Sequence, residues 1–221
     1  MSVGMATKAG AGWPRLQPHL TKADQRSTQI YEAAARLFYE KGFAGTTLQD
    51  LADAIGLHKA SLYHYISSKD ELLFATVDYA HSSLTGILAT ADVPGLTPLQ
   101  KIQRILRAHA EFCAEHVHIT AVFYKDGGAL APEHLQRVID ARNNYEQAVR
   151  HLIVEGQEAG EIRADLDSKL AVLAVFGVVN WIIQWYEPSS RLTPEEVGVQ
   201  FSQLALRILT DNPPTPVKES D

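Results

Sequence analysis

The sequence predicts an all-α protein, on three observations. Apolar residues recur three and four positions apart in one segment after another. The segment edges carry helix punctuation, with Ser, Thr or Asp before an apolar run and Gly or Pro after it. No stretch reads convincingly as a strand, and no internal repeat or low-complexity block appears.

Composition bounds the answer further. A length of 221 residues allows one or two domains and a sizeable core. Hydrophobic residues make up 46% and charged residues 21%, as in an ordinary soluble globular chain. Cys113 is the only cysteine, which excludes an intrachain disulfide and suits a reducing compartment. No basic run followed by an apolar core opens the sequence, so a cytoplasmic location is expected. The net charge of −6 is unevenly spread. Residues 1–70 carry eight basic against six acidic residues, or +2, and the remainder carries −8. Affinity for a polyanion depends on the charge facing it, so the acidic total does not exclude nucleic acid.

Taken in order, residues 1–22 hold scattered Gly, Pro and Lys without periodicity and read as a disordered arm. Lys8, Arg15 and Lys22 would allow it to follow a minor groove. From Asp24 to Lys41, Ile30, Ala33, Ala34, Leu37 and Phe38 make one helical face, and Gly42 follows as its stop. A short helix then carries Leu48, Leu51, Ala52 and Ile55, with Thr46 or Thr47 able to cap it. Gly56 allows a turn. A second short helix from about His58 to Ile66 buries Leu62 and Ile66 and exposes His58, Lys59, Ser61, Tyr63 and His64. Helix, glycine turn and a helix with outward hydrogen-bonding groups is the sequence form of a helix-turn-helix, which points to a DNA-reading surface.

After Ile66, Ser67 or Ser68 caps a long helix to about Thr90, with Asp70 and Glu71 suited to its positive end. Lys69 sits there against the dipole, a conflict a nearby phosphate would remove. Further helices are expected over 97–116, 117–125, 132–158, about 167–187, and 194–210 with Thr193, Pro194 and Glu196 as cap, first-turn proline and capping-box partner. Residues 212–221 read as a disordered tail. The segment KLAVLAVFGVVNWIIQWY is apolar nearly all round. At about seventeen residues including Asn180 and Gln184 it falls short of the roughly 20 that a membrane span requires. One face packing on its own domain and another on a second copy of the chain explains it better, so a homodimer and no membrane are expected.

The run from Arg26 through IYEAAARLFYEKGFAGTTLQDLADAIGLHKASLYHYISSKDELL resembles the TetR family of bacterial transcriptional repressors. His58 departs from the small polar residue common there, which leaves the base preference open. The resemblance implies about nine helices: a helix-turn-helix DNA-binding domain over 23–68, and a ligand-binding and dimerisation domain over 69–211. The helices near 167–187 and 194–210 would form the dimer interface. It places Thr46 and Thr47 at a phosphate, and His58, Lys59, Ala60 and Ser61 against base edges. Tyr63, His64 and Lys69 would contact phosphates, and Leu62 and Tyr65 would lie in the core. The effector half, with NWIIQWYEP and LTPEEVG, resembles branches that respond to acyl-CoA thioesters of lipid or steroid catabolism. Phe112, Phe123, Tyr124, Trp181 and Trp185 would then make an apolar cleft, Arg142 supply a cation, and Asn143, Asn180 and Gln184 orient polar atoms. Core packing competes for each aromatic.

The implied function is a homodimeric repressor of a palindromic double-stranded DNA operator, released by a small hydrophobic effector. A free hydrophobic or aromatic small molecule is the alternative effector. His109, Cys113, His116 and His118 have spacings that permit metal ligation, but no matched fourth ligand appears, so neither a metal nor a cofactor is expected. No nucleophile elbow, phosphate loop or paired-carboxylate pattern supports an enzyme.

Overall fold

The computed structural model describes residues 22–211, and the expected arm and tail lie outside the described residues apart from the backbone at residue 22. Ten α-helical segments follow one another: α1 (Lys22–Gly45), α2 (Leu48–Ala54), α3 (Lys59–Leu62), α4 (Lys69–Ala91), α5 (Pro98–Glu115), α6 (Val117–Asp126), α7 (Pro132–Glu158), α8 (Ser168–Asn180), α9 (Ile182–Trp185) and α10 (Pro194–Leu209). A 3-10 turn, Gly127–Ala129, joins α6 to α7. Counting α8 and α9 as one helix bent at Trp181 gives the nine bodies expected, and no strand occurs among the described residues.

Local chemistry places most of these boundaries. Thr47, Thr97 and Thr193 each cap a helix through a full capping box, with Asp50, Gln100 and Glu196 as the reciprocal partners. Ser68 and Asp167 cap α4 and α8 through single side-chain acceptors. Gly42, at φ 74° and ψ 156°, ends the regular part of α1, as its position in the sequence predicts. Gly160, at φ 72°, ends α7, and the chain folds back so that the Ile162 amide donates to Gly156 O at 3.0 Å. One helix falls short of expectation. The second short helix stops at Leu62 instead of reaching Ile66, and residues 63–65 form a turn. That turn rotates Tyr65 outward to 44% exposure, where the core was expected.

Two apolar cores result. The first joins Ile30, Phe38, Leu51 and Leu62 of α1–α3 to Leu72, Leu73 and Val77 of α4, and continues through Ile119 and Val122 of α6. The second gathers Ile102, Ile105 and Leu106 of α5, Val149 and Ile153 of α7, Val175 and Val179 of α8, and Leu206 and Leu209 of α10. Helix α4 belongs to both, with Ile87 and Ala91 in the second. Its 23 residues, about 35 Å at 1.5 Å each, make it the rigid link between them. The expected boundary at 68/69 is therefore a break between helices and not a break in the core.

Candidate DNA-reading surface and effector region

The α2–α3 unit stands on a small, fully bonded base. The Thr47 hydroxyl accepts from the Asp50 amide at 3.1 Å, and the Asp50 carboxylate accepts from the Thr47 amide at 2.8 Å. Lys41 donates to the same carboxylate at 2.6 Å. That lysine, with the Thr47 hydroxyl and amide, holds the Asp50 carboxyl far below the usual carboxylate range. Gly56, at φ 66°, turns the chain between α2 and α3, and the Leu57 amide donates to Ala52 O at 2.9 Å. Arg26 donates to Ile55 O at 3.2 Å and so ties α1 to the end of α2. Leu62 and Ile66 anchor α3 below, at 1% and 4% exposure. His58, Lys59, Ala60, Tyr63 and His64 are left exposed, with Ser61 half-buried beside them. These six side chains surround a single short helix, and all but Ala60 carry a hydrogen-bonding group, as a major-groove reader requires.

Thr46 and Lys69, both expected at phosphates, have backbone partners in the structure. Thr46 is buried at 3% exposure, and its hydroxyl donates to Gly42 O at 2.9 Å, with Leu37 O at 3.2 Å. It braces the turn after α1, leaving Thr47 as the exposed side of the pair. The Lys69 amine docks on backbone carbonyls, Phe43 O at 2.9 Å and Thr46 O at 3.0 Å, with Ala44 O at 3.5 Å. It also lies 4.4 Å from the centre of the Phe43 ring. A cation at the positive end of α4 is thus compensated by the negative end of α1.

The expected effector residues divide into separate groups. Phe123 packs edge-on against His81 with ring centres 4.8 Å apart, and Tyr124 packs on Phe123 at 4.8 Å. The charge of Arg142 acts on both His81 and Tyr124, so these four residues share one region. Phe112 is buried in the first core and packs on His116, ring centres 4.7 Å apart. Asn143 is exposed, and Trp181, Gln184 and Trp185 lie on the outer face of the α8–α9 bend. Trp181, between α8 and α9, is 64% exposed and Trp185 is 38% exposed.

Sequence reasoning missed the polar centre of that interior. His109 on α5, at 4% exposure, meets the Tyr145 hydroxyl of α7 at 3.2 Å. Phe176 of α8 packs on both rings, at 5.2 and 5.3 Å. Burial pushes His109 down to about 4 and the neighbouring Cys113 thiol up to about 12. His81 is lowered and Tyr145 raised for the same reason. The metal-like spacing of His109, Cys113, His116 and His118 is resolved into separate packing roles. His116 pairs with Glu32 at 3.5 Å, His118 packs on Tyr39 at 5.2 Å, and no metal-holding cluster occurs among the described residues. The partners of His109 come from α7 and α8 and leave no local trace in the sequence of α5.

A cleft of about 580 Å³ lies between α1 and the α5–α6 corner. Arg26, Glu32 and Arg36 of α1 line one wall and Glu115, His116 and His118 the other. The His116–Glu32 contact crosses it.

An exposed helix-turn-helix face joined by a long helix to an all-helical domain defines a one-component DNA-binding regulator. Residues 30–76 match a family model described as "Bacterial regulatory proteins, tetR family", and residues 95–209 match one described as "Tetracyclin repressor-like, C-terminal domain". The chain belongs to the TetR family of transcriptional regulators. It is 32% identical to the HTH-type transcriptional repressor KstR2 of Mycobacterium tuberculosis over 197 residues, 86% of this chain and 95% of that protein. Among solved structures, the TetR family regulator PfmR from Thermus thermophilus is 35% identical with a TM-score of 0.73, over 81% of this chain and 97% of that one. AibR, solved in complex with isovaleryl coenzyme A and operator DNA, is 25% identical with a TM-score of 0.69, over 81% and 97%.

Proposed function

We propose that the protein represses transcription as a homodimer on a palindromic operator and is released by a small hydrophobic effector, an acyl-CoA thioester. The observation that carries the dimer is an unpaired apolar face. Leu170, Leu173 and Trp181 of the α8 region are 66%, 50% and 64% exposed, and Leu204 of α10 is 54% exposed. Side chains of that size seldom cluster on the surface of a monomer. A second copy covering them two-fold would set two α3 helices toward successive major grooves, roughly 34–36 Å apart. His58, Lys59, Ala60 and Ser61 then read base edges, while Thr47, Tyr63 and His64 hold phosphates.

The acyl-CoA reading draws on the likeness to KstR2 and to the isovaleryl-CoA complex of AibR. Within this chain it is supported by an apolar interior with Arg142 at its edge. A free hydrophobic molecule is the second reading, favoured by the uncharged polar centre formed by His109 and Tyr145. Footprinting upstream of the protein's own gene, followed by thermal shift and operator release with an acyl-CoA panel and the matching free acids, tests both. Protection of an inverted repeat, released by the thioesters, is expected. Release by the free molecules alone selects the second reading, and no protected repeat anywhere removes the repressor assignment.

A further inference from the structure

The buried polar groups of the effector domain form a cluster that the fold alone does not satisfy. His81 is 7% exposed, and its Nε2 atom is buried without a hydrogen-bond partner. The Asn180 side-chain oxygen is buried too; it is near enough to His109 to favour the protonated ring, yet makes no hydrogen bond of good geometry. His109 and Tyr145 bond to each other, and His109 is close enough to His81 as well for a charge there to act on it. Leaving a buried polar atom unpaired is costly, and native proteins retain such atoms where something else completes them. The surroundings are apolar, from Phe123 on one side to Phe176 on the other.

We infer that His81, His109, Tyr145 and Asn180 recognise an uncharged oxygen on the buried end of the effector — a ketone, hydroxyl or thioester carbonyl on an apolar body — while any anionic part stays outside at Arg142. This inference deepens the effector-responsive reading and rests on it. Four neutral groups offer donors and acceptors to such an oxygen at no charge-burial cost, whereas a carboxylate placed among them would lose its hydration with no cation to replace it. Arg142 is exposed, pairs with Glu146 at 3.7 Å, and lies close enough for its charge to reach His81 and Tyr124. It marks the side on which a phosphate or carboxylate is tolerated.

The test uses the full-length protein and matched probes: 2-decanone, decanoate and decane, and the bicyclic set 1-decalone, decalin-1-carboxylate and decalin. Binding is followed by thermal shift and titration, and operator release by gel shift. The ketones are expected to bind about tenfold tighter than the hydrocarbons, as one hydrogen bond implies, with the carboxylates weakest. His81→Leu is expected to erase that preference while keeping or raising the melting temperature of the unliganded protein. This second readout separates ligand recognition from a packing role. Carboxylates binding as tightly as ketones, a ketone preference unchanged in His81→Leu, or no binding by either ketone overturns the inference. A selective ketone that binds and leaves operator affinity untouched upholds the recognition cluster and overturns the effector-responsive reading beneath it.

Discussion

Replacing Lys69 with methionine removes an ammonium group while keeping an unbranched apolar stem against Phe43. The amine donates to Phe43 O at 2.9 Å and Thr46 O at 3.0 Å, and faces the Phe43 ring at 4.4 Å. Hydrogen bonds from a charged donor contribute about 1.5–3 kcal/mol each when shielded, and a half-exposed ring contact adds about 0.5–1 kcal/mol. The site is only partly buried, so the sum is discounted to about 2–3 kcal/mol. For a chain of this length that corresponds to a fall of roughly 5–10 °C in melting temperature. Operator binding weakens alongside it, because the clamp joins the start of α4 to the turn that carries α2. Thermal unfolding and operator titration over a salt series measure the two effects separately. A structural clamp leaves the slope of log affinity against log salt as it was. A phosphate contact would lower that slope by about one and leave the melting temperature alone, and that pair of results would refute the clamp.

Three further outcomes follow from other parts of the molecule. His109, neutral and buried with a proton affinity pushed down to about 4, binds fewer protons folded than unfolded, so stability falls as pH drops from about 6.5 toward 4 and is flat above. The loss reaches about 2 kcal/mol at pH 5, with His81 adding in the same direction; His109→Gln should flatten urea-unfolding free energies between pH 7.5 and 5, and an unchanged slope would count against this. In Gly156→Ala the new Cβ would come within 2.7 Å of Ile162 Cδ1, and Ile162 is itself only 3% exposed, so crowding outweighs the gain in helix propensity and about 1 kcal/mol is lost; a raised melting temperature would contradict that. Leu173→Glu combined with Leu204→Glu should yield a folded monomer by light scattering with operator affinity lowered at least tenfold, whereas a dimer of normal affinity would place the interface elsewhere.

What the sequence made legible was local. The cap at Thr193 and its partner Glu196 three residues on are contacts between near neighbours, so spacing alone reveals them. The apolar faces of α1, α4 and α5 follow from the helical period. Long-range contacts to backbone atoms leave no such mark. Nothing in the residue types of Phe43–Thr46 tells that Lys69, more than twenty positions away, will bond to their carbonyls. The threonine pair divides by which hydroxyl the turn after Gly42 points inward, and only the folded chain decides that for Thr46. Tyr65, expected in the core, is exposed because α3 ends at Leu62 and the chain turns there. The His81–His109–Tyr145 centre draws one residue from each of three helices, and each reads by itself as ordinary core.

The cleft between α1 and the α5–α6 corner has a consequence in water. The water it holds lies among charged groups, Arg26, Glu32, Arg36 and Glu115, that bind it well. Any swing of the reading unit that narrows or widens this space must release or admit part of that population. The equilibrium between DNA-bound and effector-bound forms then includes solvent as a reactant. A less hydrated cleft is favoured by osmolytes that are excluded from the protein surface.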